Sequence, residues 1–585
     1  MWSNKCKNRF PLYSLLLAGT VLLCQASCRR SLDSSGTGTP ASSGILLKDV
    51  SKSVGITFQH TDGSSGEHYI IEPMSAGLAL FDYDNDGFID IYFLNGAPLP
   101  GYKGPPNPRN ALYRNNGDWT FTDVTDRAGV GDTGYGLGVT VGDFDNDGDA
   151  DLYLNNYGPN VFYRNNGDGT FTDITAQTGT AGPADYVGAG ALFVDVDRDG
   201  LLDLYVGNYL RFDPSMNVVR MVDGMRSYPS PRDYLPIPDS LYRNNGNGTF
   251  TDISEESGIA AVKGTAMGMV AADVDNDGDT DIFVLNDVAE NFLFINDGTG
   301  HFTESAIERG VAYNAYGEEN ASMGVDCGDV DYDGWLDFYM TAYEDELAVL
   351  YRNIGDGYFE DVTQLTGAGE GTYAHVNWGV GLVDLDNDGD LDVFIANGHT
   401  EDNIEARSAA TAWRVRNLVL MNDGKGYFRN ITDECGDGLA PVEASRGAAF
   451  ADLDNDGDID IVVLNSRSAP TIIENRTNNG NHWIQIILEG TKTNRDGVGS
   501  RVTLTAGDLK LVQEKLGGRG YQSYWGSRLH FGLGQHNRID QIEVRWLSGT
   551  TDTIKNVPVD CFIKIKEGTE RFEVLRLPRA KGFPK

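Results

Sequence analysis

The sequence predicts an all-β chain, a seven-bladed β-propeller followed by a small antiparallel β-sandwich or barrel. Three observations lead there. A nine-residue pattern, D-x-D-x-D-G-x-x-D, occurs seven times, starting at Asp82, Asp143, Asp195, Asp273, Asp329, Asp384 and Asp452. Short runs of strand-forming residues flank every copy. Glycine reaches 72 of 585 residues without a G-X-Y period, which points to many tight turns in a repeat protein rather than to collagen.

In chain order, Lys5, Lys7 and Arg9 precede an apolar run from Phe10 to Cys24, the length of a signal-peptide core and short for a membrane span. Export is therefore expected. Gln25-Ala26-Ser27-Cys28 has the small residues of a bacterial lipobox, with Gln where Leu is usual, so residues 1–28 read as a leader and Cys28 as a lipidated, membrane-anchoring N-terminus. Cleavage after Ala26 and free secretion is the alternative. A Ser/Gly/Thr-rich tether covers 29–44. Past the leader only Cys327, Cys435 and Cys561 remain, too few and too scattered for a disulfide framework, and Cys327 reads as plain core.

Residues 45–480 hold the repeats. Carboxylates at alternating positions before a glycine converge only where the backbone wraps round a point, and that much negative charge calls for a cation. Calcium fits, because it takes about six to eight hard oxygen ligands and the spacing copies the first half of an EF-hand loop, with Gly sixth. Asp at the ninth position replaces the EF-hand's closing Glu. The ligands expected are the side chains at positions one, three, five and nine and the backbone carbonyl of position seven. These are Asp82, Asp84, Asp86, Phe88 and Asp90; Asp143, Asp145, Asp147, Asp149 and Asp151; Asp195, Asp197, Asp199, Leu201 and Asp203; and Asp273, Asp275, Asp277, Asp279 and Asp281. The remaining loops supply Asp329, Asp331, Asp333, Trp335 and Asp337; Asp384, Asp386, Asp388, Asp390 and Asp392; and Asp452, Asp454, Asp456, Asp458 and Asp460. Up to seven structural Ca²⁺ follow.

Each loop sits between a small-residue segment, such as Gly77–Phe81 or Gly138–Val141, and a β-branched or aromatic run, such as Ile282–Leu285 or Ile461–Leu464. A hairpin with an Asn-Gly turn then follows in most units, as in Phe162–Ile174. Four antiparallel strands per unit, repeated seven times, make a propeller. The last unit stops after Thr471–Asn475, and Leu46–Ser51 matches the fourth-strand pattern, so the N-terminal segment should complete it.

Residues 481–570 alternate in Trp483–Leu488, Arg501–Thr505, Arg528–Leu533 and Ile539–Trp546, as a small β domain does, with 571–585 as a tail. Charge marks the boundary: 45–480 hold 24 Lys/Arg against 74 Asp/Glu, whereas 481–570 hold 12 against 10. Such an acidic body excludes nucleic acid as its partner. Arg495, Arg501, Arg519 and Arg528 either bind an acidic ligand or dock on the acidic repeats.

The Asp loops with their flanking strands resemble FG-GAP/VCBS repeats, the calcium-binding propeller units of integrin α subunits and bacterial surface proteins. The stretches Asn481–Ile484, Thr493–Val502, His530–Gly534 and Val544–Gly549 resemble the ASPIC/UnbV domain, a pairing found in cartilage acidic protein-like families. The resemblance implies a calcium-binding propeller and leaves the ligand open, since such propellers serve adhesion, carbohydrate binding and some polysaccharide lyases.

Three long insertions, 96–111, 207–240 and 398–417, all join strand two to strand three and share the face opposite the calcium loops. Their Tyr102, Tyr209, Arg211, Arg226, Tyr228, Tyr234, Trp413 and Arg414 suit stacking on sugar or anchoring a protein, which makes this the expected ligand face of a cell-surface adhesion module; the alternative is that the aromatic residues pack the insertions onto the ring. No H-E-x-x-H or G-x-S-x-G occurs. The polar candidates for chemistry are His375 near Trp378 and Asn397–Asp402; a calcium-assisted polysaccharide lyase is the enzymatic alternative, and no catalytic residue is assigned.

Overall fold

The computed structural model describes residues 44–75 and 77–580. The leader, the lipobox with Cys28 and most of the tether lie outside the described residues. Every one of the seven acidic loops joins the first two strands of a four-stranded antiparallel unit, the first being Leu78–Phe81, Asp90–Phe93, Ala111–Asn115 and Phe121–Asp123. Two units merge into one larger sheet through a single bridge between Val187 and Tyr157. First strands touch one another in a closed cycle, the last (Ser445–Ala451) meeting the first (Leu78–Phe81), which makes the body a β-propeller. Leu47–Asp49 pairs antiparallel with Thr471–Asn475 and supplies the fourth strand of the last unit. The first strands are rich in small residues because they crowd the axis. A Cβ on Gly138 would stand 2.6 Å from the Gly190 Cα, and one on Gly324 would stand 2.5 Å from the Trp378 carbonyl oxygen.

The C-terminal region forms two four-stranded sheets over one apolar core that includes Ile484, Ile486, Val502, Leu504, Phe531 and Ile542. One pairing departs from the antiparallel expectation. His482–Glu489 runs parallel to Cys561–Lys566, which the long intervening passage through the other sheet permits. Phe572–Leu575, expected as tail, adds a strand to that sheet. Residues beyond it lie on the propeller, where the Ala580 N–H donates to the Asp454 carbonyl.

Glu567 ties this domain's loops together. Its carboxylate accepts the N–H groups of Thr491 and Lys492 at 2.7 Å and of Thr493 at 3.0 Å, and the Ser548 hydroxyl. Burial acts to raise the carboxyl, but these bonds to its ionised form outweigh it and hold it at about 2, down from 4.5. The stabilisation is therefore complete above the unfolded value and fades as pH falls through the folded one. The stability gap between wild type and Glu567→Gln, read as urea midpoints, should narrow from about pH 5 to about pH 2.5; a gap that ignores pH would refute the assignment.

The C-terminal domain sits on the acidic loops. Arg545 pairs with Asp273, the Asp143 N–H donates to Asp496, and the Gln485 amide donates to Asp452. The four arginines singled out in the sequence dock on the propeller. Arg495 reaches Asp143 at 3.6 Å, Arg501 the Asp273 carbonyl at 2.6 Å, Arg519 the buried Asp326 at 2.5 Å, and Arg528 the Gly87 carbonyl at 2.9 Å. Between two strands of this domain, residues 516–525 enter the channel lined by the first strands. Gly520 exchanges hydrogen bonds with Val325, the Tyr524 N–H donates to the Leu78 carbonyl, and the Gln522 carbonyl accepts from Val139. Tyr521 packs on Trp378 and Trp525 on Phe450, so the segment plugs the axis.

Candidate functional site

The seven loops share one hydrogen-bond plan. The first aspartate accepts the N–H of the sixth-position glycine at 2.8–3.1 Å. The fifth accepts the N–H of the seventh residue, Phe88, Asp149, Leu201, Asp279, Trp335, Asp390 or Asp458, at 2.8–3.1 Å. The fourth residue adopts positive φ in every copy, which Asn tolerates in five of them and which Arg198 and Tyr332 adopt against their preference. That turn throws the carboxylates inward. One oxygen each from Asp82, Asp84 and Asp86 lies within 4.8 Å of the others, as do those of Asp195, Asp197 and Asp199, and of Asp329, Asp331 and Asp333. In two other loops the ninth aspartate joins the group, Asp151 with Asp143 and Asp145, and Asp281 with Asp273 and Asp275.

The ninth aspartate also braces the fold. In each loop one of its oxygens accepts the N–H of the second residue at 2.9–3.3 Å. The other accepts the N–H of an asparagine ending the third strand at 2.7–3.0 Å. A further lone pair on each oxygen is left for a cation. Those asparagines, Asn115, Asn165, Asn244, Asn296, Asn353, Asn422 and Asn475, are all buried. Each amide donates to its own loop at 3.1–3.3 Å. It also donates to the second residue of the preceding unit's loop at 2.8–2.9 Å. Asn115 reaches back to Leu453, so the circuit of clasps closes on itself.

The donor set fits a hard cation. Buried carboxylate oxygens of Asp84, Asp197, Asp273, Asp275, Asp329, Asp331 and Asp384 have no hydrogen-bond partner. Burial, followed by repulsion from neighbouring carboxylates, pushes Asp195, Asp329 and Asp386 up to about 7. Charges this crowded and desolvated are costly unless a metal ion neutralises them.

On the opposite face, the insertion from the third unit crosses the channel mouth to the sixth. The Ser227 hydroxyl and the Tyr228 N–H both donate to Glu401, and the Asn403 amide to the Arg226 carbonyl. The expected ligand residues spread across this span. Tyr209 and Tyr234 are buried, Tyr209 donating to Asp287 at 2.8 Å, and the Tyr228 hydroxyl donates to Glu72 at 3.0 Å. Arg211 pairs with Asp185, Arg226 with Glu67 and Arg414 with Glu443. The half-buried Trp413 ring carries two guanidinium groups, Arg467 at 4.2 Å and Arg414 at 4.8 Å from its centre. Tyr102 accepts from the Thr61 hydroxyl at 3.2 Å. Tyr209 and Arg211 lie on the second strand, Asp203–Arg211, rather than in the insertion expected from 207, and Tyr209 at 2% exposure is a packing residue, which leaves Trp413 as the cleaner probe of this face.

A family model described as an FG-GAP-like repeat matches residues 82–154, 143–206, 237–284, 273–340, 329–395 and 384–463, more than half of the chain. A second, described as ASPIC and UnbV, matches 490–571. The chain is an FG-GAP-repeat protein with an ASPIC/UnbV domain. Among named proteins it is 25% identical to cartilage acidic protein 1 of Mus musculus over 508 residues, 81% of this chain and 71% of that one. The Homo sapiens protein is 24% identical over 505 residues, 81% of this chain and 69% of that one. Among solved structures, an Agrocybe aegerita lectin aligns with a TM-score of 0.37 at 20% identity, covering 62% of this chain and 82% of its own. A Bacillus licheniformis rhamnogalacturonan lyase aligns at 0.36 and 14%, covering 68% and 71%.

Within the FG-GAP repeats, sequence reasoning missed the asparagine clasps. It read Asn165-Asn166-Gly167 as a turn, yet the first Asn of that motif recurs in all seven units, even in Asn475-Arg476-Thr477 where the turn is lost. That persistence was the available signal. The polar residues weighed for chemistry are occupied in holding the insertions. His399 is buried, its Nε2 3.1 Å from Glu344 and its Nδ1 accepting the Glu401 N–H, and His375 bonds the Thr411 hydroxyl. Among the described residues no helix is long and apolar enough to cross a membrane.

Proposed function

We propose that this is an exported, calcium-stabilised binding and adhesion module that holds a carbohydrate or protein ligand on the insertion face, anchored to the cell envelope through Cys28. The observation that carries the reading is the occupation of the other face. The ASPIC/UnbV domain lies on the acidic loops, so those loops act as internal staples and the insertion face is left for a partner. Met216, Val219, Met221, Val222 and Leu235 stand exposed on the longest insertion, and grouped apolar side chains of this kind mark interaction surfaces. Calcium would be held by the first, third, fifth and ninth aspartates of each loop with the carbonyl of the seventh residue, where it would neutralise the buried carboxylates. Binding rather than catalysis suits His399, which lies buried with Glu344 at its Nε2 and the Glu401 N–H on its Nδ1.

The test is electrophoresis of the purified protein through gels containing different polysaccharides, with calcium and with chelator. Calcium-dependent retardation in one gel, reduced at least fivefold by Trp413→Ala without loss of the melting temperature, is the expected result. Retardation that ignores Trp413→Ala would move the ligand off this face, and retardation nowhere would leave a protein as the ligand class.

A further inference from the structure

Between the plug and the insertion that crosses the channel mouth lies a cavity of about 250 Å³. At ~30 Å³ per water, that is room for about eight waters, or for one small organic molecule. Its walls come from several propeller units. Met74, Met267 and Met323 supply soft apolar surface, Trp378, Tyr209 and Tyr343 supply aromatic rings, and Ser227 to Pro231 close it on the insertion side. The inner end is rigid. Trp378 packs on Tyr521 at 5.1 Å and lies under the guanidinium of the buried Arg446, which donates to the carbonyls of Pro73, Gly398, Ser445 and His399.

Charge in the cavity does not balance. Glu401 has Arg407 at 3.3 Å, and Arg220 has Asp233 at 2.7 Å. Asp287 lines the same space, is only 8% exposed, and has no ion-pair partner among the described residues; its one side-chain bond is from the Tyr209 hydroxyl. Arg232 acts on it only from a distance, being held on the Val288 carbonyl and Glu319, and a carboxylate buried beside apolar walls without a cation in contact is costly. Burial accordingly pushes Asp287 up to about 7.

We infer that this cavity is a binding site for a small organic amine, its ammonium group on Asp287 and its apolar body among the methionines and aromatic rings. Rings and polarisable thioethers attract an organic cation as well as its hydrocarbon, and a carboxylate fixes the orientation. The inference rests on the insertion face being the ligand face and narrows its chemistry at the centre.

The experiment titrates the purified, calcium-loaded protein by calorimetry with 2-phenylethylamine, with its uncharged analogue 2-phenylethanol, and with N-acetylglucosamine. The amine should bind at least tenfold more tightly than the alcohol. Asp287→Asn, which keeps an acceptor for Tyr209, should erase that preference while the circular-dichroism melt stays within a few degrees. Equal affinity for amine and alcohol, preference for the sugar, or no binding of any of the three would overturn the inference. The wild-type comparison decides it even if the variant folds poorly. Absence of amine binding with Trp413-dependent polysaccharide retardation intact would sink this inference alone, whereas retardation that ignores Trp413→Ala would sink the reading of the face.

Discussion

Excess EDTA should lower the melting temperature of the calcium-loaded protein by about 15 °C, and calcium should restore it. A ligand that binds only the folded state adds about 2.7 kcal/mol per site at hundredfold excess over its dissociation constant, hence about 19 kcal/mol if all seven loops fill. Unfolding entropy for a chain of this size is about 1.2 kcal/mol per kelvin, which sets the scale of the shift. The physical cause is in the loops. Asp384 lies 4% exposed with an oxygen that has no partner, and burial followed by its neighbours Asp388, Asp386 and Asp390 raises its carboxyl. Magnesium, which demands a near-ideal octahedron and keeps its waters, should restore much less. An EDTA melt equal to the calcium melt would mean that the seven loops are not metal sites.

The fold was legible where a local period or a repeated spacing determines it. The acidic pattern, the small-residue run before it and the β-branched run after it specify a hairpin from nearby residues alone, and the match between Leu46–Ser51 and the fourth-strand pattern placed a strand that pairs with Thr471–Asn475, more than 400 residues away. What was not legible depends on partners that no period encodes. Residues 516–525 fall between the alternating runs Arg501–Thr505 and Arg528–Leu533, and nothing in Gly517-Gly518-Arg519-Gly520 announces a propeller axis; only the docked structure gives Arg519 the buried Asp326 and Gly520 the Val325 backbone. The parallel pairing of His482–Glu489 with Cys561–Lys566 was hidden for the same reason. On the candidate site, the sequence placed the insertions and their aromatic residues. Tyr209 is the exception: it lies on the strand Asp203–Arg211, and its burial against Asp287 follows from a contact between two units.

The asparagine circuit gives the sharpest mutational contrast. Asn353→Ala, measured by urea unfolding in saturating calcium, should cost about 3 kcal/mol, because it removes donors to the Val274 and Leu336 carbonyls at a position with no exposure. Each buried carbonyl deprived of its donor loses about 1–3 kcal/mol. The backbone N–H of residue 353 still reaches Asp337 in the variant, so the hairpin survives and the loss falls on the joint between two units. Asn166→Ala is the control. That side chain bonds Thr170 on an exposed turn, where substitutions stay within about 0.5 kcal/mol. Calcium should separate this clasp from the acidic loops: metal bound there would hold each loop's shape but could not supply a donor to the neighbouring loop, so the cost should persist at high calcium. A cost below about 1 kcal/mol, or one that calcium abolishes, would show that the metal sites and the packed first strands, rather than the amides, hold adjacent units in register.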